Sequence, residues 1–376
     1  DCAGLFNLTY KRQWLDSWQV SSVCKTYYDT NGICNANKAL GWLKSNGSSK
    51  LLSKYQISAS SCCILSVCGS KMHFAEFFKF CQKLLFFLPL TAANNPETTT
   101  TAQRAGSFTY DNPAEWQLEY PQCGGQKQSP IAINSNKIVN VNIPAIVFGS
   151  YDVFLSNYVV LENNGHTIKF NVPPTIEHQI PYITNGPLKD IYEAVEVHFH
   201  WGSPLTKGSE HQLNGKRYDV EMHIVHKNSK YNTVEEAREF EDGLSVIGAF
   251  FKVEKTIANI FFPGPSTVFN TVPFVLRYNS TASTRQLISL GSLLANINRE
   301  NFYTYQGSLT TPPCSEAVTW IVYPDVIPIS VYNLKNFWFV RDEEGRKLLN
   351  NYRPLQPIGD RKVYYRSDMV VVDYYY

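Results

Sequence analysis

Five of the eight histidines in the chain fall between positions 198 and 226. The stretch at 195–202 reads VEVHFHWG. Strand alternation puts Glu196, His198 and His200 on one face and Val195, Val197, Phe199 and Trp201 on the other. A second stretch, YDVEMHIVH at 218–226, puts Glu221, His223 and Val225 on one face. Val220, Met222, Ile224 and His226 take the opposite one. If the two strands are neighbours, His198, His200 and His223 converge. Three neutral imidazoles at one point are the ligand set of a catalytic zinc that keeps a fourth position for water. An HxH pair by itself is equally two ordinary histidines, and no HExxH is present to strengthen it. The carboxylates strengthen it instead. A metal-bound imidazole donates its other N–H to an acceptor, and Glu196 and Glu221 share the faces of His198 and His223. His226 points to the apolar side and reads as a buried structural histidine.

The elements that must carry these residues are mostly strands. Short β-like runs with turn punctuation fill the chain from about 108 to 366: VNIPAIVFG, DVFLSNYVVLENNG, TIKFNVP, AVEVHFHWG, YDVEMHIVH and AVTWIVYP. Asn214-Gly215 is a hairpin turn signal between SEHQL and KRYDVEMHIVH. TVEEAREFEDG and RQLISLGSLLANI are the best helical candidates. No internal repeat and no glycine-rich phosphate loop occurs. The chain has 376 residues, 44% hydrophobic and 14% aromatic, enough for a substantial core. A net charge of +2 gives no electrostatic case for nucleic acid. No run of eighteen apolar residues predicts a membrane span. The expectation is one mostly β domain over residues 107–366.

The amino-terminal quarter is different. It holds seven of the nine cysteines: Cys2, Cys24, Cys34, Cys62, Cys63, Cys68 and Cys81. Residues 72–93 place Lys79 and Lys83 before an apolar run at 84–90 and the small residues Thr91, Ala92 and Ala93. That order is a secretory signal with cleavage near Ala93; a short buried helix is the other reading. Residues 94–106 form a polar, threonine-rich linker. Residues 1–71 show no sustained period and read as a non-native or disordered leader, or else as a small disulfide-bearing domain. No CxxC metal spacing occurs there. The tail, 367–376, lacks the long apolar end of a lipid-anchor signal.

The motifs taken together resemble the α-class carbonic anhydrases. VHFHWG, GSEH, YDVEMHIVH and YQGSLTTPPCSEAVTWIV stand in that family's order and spacing. QSPIAI at 128–133, NNGHTIKF at 163–170 and YRPLQP at 352–357 extend the match over nearly the whole main domain. The resemblance implies a mostly β (α+β) fold, with a large, twisted, mainly antiparallel central sheet and peripheral helices. It implies the reversible hydration of CO2 to bicarbonate and a proton by a zinc-bound hydroxide. It assigns His198, His200 and His223 as zinc ligands and Glu221 as the acceptor behind His223. Thr310 and Glu210 become the pair that orients the nucleophile, with Thr311 and Pro312-Pro313 holding their loop.

The family's apolar CO2 wall falls on Val225, Val246, Leu309, Val318 and Trp320. Its proton shuttle falls on His166, with Tyr110, Asn164 and Thr311 ordering the connecting water. Cys123 and Cys314 match the disulfide of the family's extracellular members, consistent with secretion, and Asn279 opens an NST glycosylation sequon. Two positions depart from the pattern. Glu196 stands where the family usually has Gln behind the first histidine. Its charge predicts tighter metal retention and a higher bound-water pKa. Lys169 stands where the efficient enzymes carry a neutral polar residue, and a nearby cation would depress the shuttle's pKa. The alternative reading is a catalytically silent extracellular relative, a binding or matrix protein. Such relatives lose zinc histidines, and here all three remain.

Overall fold

The computed structural model describes residues 108–254 and 262–368. The expected leader (1–71), signal (72–93) and linker (94–106) lie outside the described residues, as do positions 369–376 of the tail. Twelve strands build one sheet and two more form a separate short pair. In chain order they are β1 (Ala132–Ile133), β2 (Ile138–Asn140), β3 (Ile146–Gly149), β4 (Val160–Asn163), β5 (Ile168–Asn171), β6 (Tyr182–Asn185) and β7 (Leu188–Trp201). There follow β8 (Gln212–Leu213), β9 (Val220–Asn228), β10 (Leu244–Val253), β11 (Thr281–Ser283), β12 (Phe302–Gly307), β13 (Val318–Ile329) and β14 (Val363–Arg366).

The sheet runs β11-β4-β5-β7-β9-β10-β13-β12-β14-β2, with β3 and β6 added beside β7, and β1 pairs with β8 apart from it. Its pairings are antiparallel except β10–β13 and β14–β2. The expected mostly β, mainly antiparallel architecture is therefore present.

One central strand went unremarked in the sequence. LSVIGAFFKV (β10) is buried along nearly its whole length and lies between β9 and β13. A strand covered on both faces carries no alternation, so its signal is only a continuous apolar run. The helical candidates shrink to single turns, Val234–Ala237 and Leu290–Leu293, each capped by a hydroxyl: Thr233 for the first, Ser289 for the second. Longer helices form at Pro263–Phe269 and Val331–Phe337. Their helicity comes from tertiary packing, Phe269 sitting against Phe199, Phe251 and Phe337. The Asn214-Gly215 turn forms, both residues at positive φ and Leu213 pairing with Lys216. Its first strand, however, is only β8, which pairs with β1.

Each face of the sheet carries its own core. Val197, Phe199, Trp201, Val220, Met222 and Ile224 belong to one cluster. Val225, Val246, Val318 and Trp320 belong to the other, on the side of the histidines. One residue departs from the expected alternation. Val195 packs against the second cluster and not with Val197. A register shift in the β7–β9 ladder between Ala194 and Glu196 inserts an extra residue there, so Val195 turns to the face of Glu196.

A disulfide joins Cys123 to Cys314, residues 191 apart in sequence. In the chain-entropy description a cross-link of that span contributes about 5 kcal/mol. At about 2–4 °C per kcal/mol for a domain of this size, Cys123→Ser/Cys314→Ser should unfold about 10 °C or more lower. Calorimetry of the pair variant checks this, and an unchanged Tm refutes it.

Candidate metal centre

Strands β7 and β9 lie side by side with His198 directly opposite His223. That register does what the parity argument required. His200 Nε2 lies 3.1 Å from His223 Nδ1, and His198 Nε2 lies 3.3 Å from it. Ligands about 2.0–2.1 Å from one tetrahedral ion sit about 3.3–3.4 Å from each other, so the spacing suits zinc.

The opposite ring nitrogens explain why these atoms offer lone pairs. His198 Nδ1 donates to Glu196 Oε1 at 3.0 Å. His200 Nδ1 donates to the Asn351 carbonyl at 2.7 Å. His223 Nε2 donates to Glu221 Oε1 at 2.8 Å. With its outer nitrogen donating, each ring in its neutral form offers a lone pair inward. Burial, together with the neighbouring His223 and His198, holds His200 well below its ordinary value. His223 is brought down to about 4, again mainly by burial. Both rings are neutral donors at physiological pH. Three lone pairs facing one another with no proton between them call for a cation, and the donor set fits the one expected.

Glu221 does more than was read for it. Its Oε2 accepts from the His211 backbone N–H and its Oε1 from His211 Nδ1, at 2.8 and 2.7 Å. Burial alone would raise this carboxyl, yet His211 and His223 outweigh it and hold it well below the usual range. The chain of bonds continues from His211 Nε2 to Tyr305 Oη (2.7 Å), then Ser129 Oγ (2.9 Å), which accepts from the Ser308 N–H (3.0 Å). One orienting network thus runs from His223 to the loop that carries Thr310.

Glu210 is fully buried, and its Oε1 accepts from the Arg353 backbone N–H at 2.7 Å. Its Oε2 has no hydrogen bond of ordinary geometry and lies 3.5 Å from His200 Nε2. Burial and the nearby Glu221 push the carboxyl up to about 8, against the pull of Arg353 and of the Thr310 hydroxyl. A buried carboxylate oxygen beside the convergence point suits a site that would hold a positive charge. The close approach of this segment to β7 needs a glycine: a Cβ at Gly208 would lie 1.9 Å from the Gly202 nitrogen.

The five apolar residues assigned to a wall cluster on the same side. Val246 sits opposite Val225 in β9 and Trp320 in β13. The Trp320 ring packs 4.8 Å from His223, and Val318 and Leu309 complete the cluster. The Thr310 loop is tied by the Leu309 N–H to the Ser315 carbonyl and by Cys314 to Cys123. Thr311 is half-buried on that loop.

His166 lies further out. Its ring stacks on Phe108 at 4.0 Å and lines a cavity with Tyr110, Asp342, Glu343 and Glu344. Asn164 Oδ1 accepts from the His166 and Thr167 N–H groups, so that oxygen is spent on the turn. The Tyr110 hydroxyl is buried without a partner. Lys169 departs from the expectation that it depresses His166. Its ammonium contacts Glu196 Oε2 at 2.8 Å, and burial is what lowers the His166 pKa. Burial would also raise the Glu196 carboxyl, but His198 and Lys169 hold it down at about 2. His226 is fully buried between Tyr151 and the Ser245 carbonyl, and burial brings it to about 3, as a structural histidine. Asn279 is exposed in a turn at positive φ.

Two groups escaped the sequence reading. Asn351 supplies the acceptor for His200 from its backbone, which no residue type can signal. Its side chain also binds the Trp201 N–H and the His166 and Phe199 carbonyls. His211 stood within the five-histidine cluster, and its count was the only hint of a role.

A large mixed sheet that brings three histidines together, each with a fixed outer partner, is the architecture of the carbonic anhydrases, and the three rings could hold a metal ion. The chain belongs to the eukaryotic-type carbonic anhydrases, a family of carbonate dehydratases, which it matches over residues 111–367. It is 34% identical to carbonic anhydrase 6 of Homo sapiens over 272 residues, 70% of this chain and 84% of that protein. Carbonic anhydrase 6 of Canis lupus familiaris is also 34% identical, over 290 residues, 74% of this chain and 84% of that protein. Carbonic anhydrase 7 of Homo sapiens is 34% identical over 258 residues, 67% of this chain and 93% of that protein.

The acidic rim supports a prediction for His166. Burial lowers it from 6.5, while Glu343, Glu344 and Asp342 act to raise it. Its imidazole should titrate below 6.5 by NMR, and Glu343→Gln/Glu344→Gln should lower the midpoint further. A midpoint that stays put in the double variant contradicts the assignment.

Proposed function

We propose that His198, His200 and His223 hold a zinc ion and that the protein catalyses the reversible hydration of CO2 to bicarbonate and a proton. The observation that carries this reading is the convergence of three lone pairs, each fixed by an outward N–H bond. Bound zinc supplies Lewis acidity, which in carbonic anhydrases brings the pKa of a coordinated water to about 7.

The chain's own residues supply direction. Arg353 anchors Glu210 through Oε1, which leaves Oε2 to accept the Thr310 hydroxyl proton. The Thr310 oxygen can then only accept. A protic group in the site must point its proton at Thr310 and a lone pair at the substrate. Val225, Val246, Leu309, Val318 and Trp320 offer CO2 an apolar wall from which it displaces loosely held water, with Thr311 at its edge. His166 carries the proton outward to the acidic rim, with Tyr110 and Asn164 beside the path.

The Cys123–Cys314 disulfide supports an oxidising compartment and so a secreted protein. The signal at 72–93 and a glycan on the exposed Asn279 belong to the same proposal. Among the described residues no helix is long and apolar enough to cross a membrane. A silent binding relative is disfavoured because the three histidines, Glu210 and Thr310 are all in place.

Zinc analysis of purified protein, with rapid-mixing CO2 hydration in the presence and absence of a sulfonamide, tests the reading. One equivalent of zinc and sulfonamide-sensitive hydration are expected, and His200→Ala should lose both. Thr310→Val should keep zinc and lose about 10²-fold or more in kcat/KM. His166→Ala should slow turnover in weak buffer, with rescue by imidazole. Zinc-loaded protein that leaves CO2 unreacted would sink the proposal.

A further inference from the structure

Lys169 lies in β5 directly opposite His198 in β7, so both side chains stand on the metal face of the sheet. Its ammonium sits 2.8 Å from Glu196 Oε2, while Glu196 Oε1 accepts from His198 Nδ1 at 3.0 Å. Both partners are largely covered, with side-chain exposures of 22% and 27%. Glu210 and Glu221 already bring two carboxylates to this centre. A third, unbalanced, would add a full negative charge behind one ligand.

We propose that Lys169 is a charge-balancing and positioning residue of the metal centre. Its ammonium takes the outer oxygen of Glu196, so the pair presents His198 with a fixed acceptor that is close to neutral. On this basis the Lys169–Glu196 pair does the work of a neutral amide behind the first histidine. Each partner needs the other. Without Lys169, the bare carboxylate makes the imidazole a stronger donor and holds a divalent ion more tightly. Without the Glu196 charge, a half-buried ammonium is left beside a cation and weakens its hold.

The inference rests on the zinc reading above, and its test separates the two. The rate of zinc loss to excess chelator is measured for the wild type, Lys169→Met, Glu196→Gln, the double variant and Lys169→Arg. Unfolding temperatures of the metal-free forms report on the fold. Lys169→Met should release zinc about three- to tenfold more slowly, and Glu196→Gln about three- to tenfold faster. These changes are smaller than the 10–100-fold typical of losing an outer partner, because an acceptor remains in each case. The double variant should return close to wild type, and Lys169→Arg should match it. Lys169→Gln serves in the same way if Lys169→Met does not fold. A wild-type rate for Lys169→Met, or a shift in the same direction as Glu196→Gln, overturns the proposal. Wild-type protein without zinc, or His200→Ala retaining it, would overturn the metal reading itself.

Discussion

Three converging imidazole nitrogens, with His200 Nε2 and His198 Nε2 at 3.1 and 3.3 Å from His223 Nδ1, are the constraint on which this structure depends. Left alone, such an arrangement is repulsive, and a ring flip would relieve it. The outward bonds to Glu196, the Asn351 carbonyl and Glu221 prevent the flip, because turning any ring would break a bond to a buried or half-buried acceptor. The fold therefore fixes tautomers as well as positions. Neighbouring strands with His198 opposite His223, a buried carbonyl behind β7 and a paired carboxylate on each flank are its means.

Charge is handled in the same way. Glu196, Glu210 and Glu221 crowd one small region, and buried carboxylates are costly unless bonded or paired. Glu221 is held low by two histidines, Glu196 by His198 and Lys169. Glu210 alone is pushed up, to about 8, where burial and Glu221 outweigh its Arg353 and Thr310 contacts. The one carboxyl pushed up is the one whose Oε2 lies beside the convergence point. That is where a bound cation would bring most relief.

The periphery ties the remaining parts to this centre. Arg353 donates to Gln128, Ser129 and Cys123 oxygens through its guanidinium and to Glu210 through its backbone. The disulfide joins the same Cys123 to the end of the Thr310 loop. Glu210 and the Thr310 loop are thus both tied to the Cys123 segment, one through Arg353 and the other through the disulfide, which is the rigidity that the proposed orienting pair would need.

The histidine pattern was readable from one dimension because strand parity is local: alternation assigns His198, His200 and His223 to faces without knowledge of the fold. The matched parity of Glu196 and Glu221 was readable for the same reason. Parity fails where the ladder takes an extra residue, and Val195 turned to the metal side at such a place. Strand β10 was hidden because burial on both faces erases alternation. The helices were misjudged because single turns and seven-residue segments draw their stability from packing that no local window contains. What only the tertiary structure decided is which distant groups answer the local ones. The Asn351 carbonyl behind His200, His211 beneath Glu221 and Lys169 on Glu196 are contacts across strands and loops. A backbone oxygen has no residue type to betray it, and an ion pair between strands depends on a register set by the whole sheet.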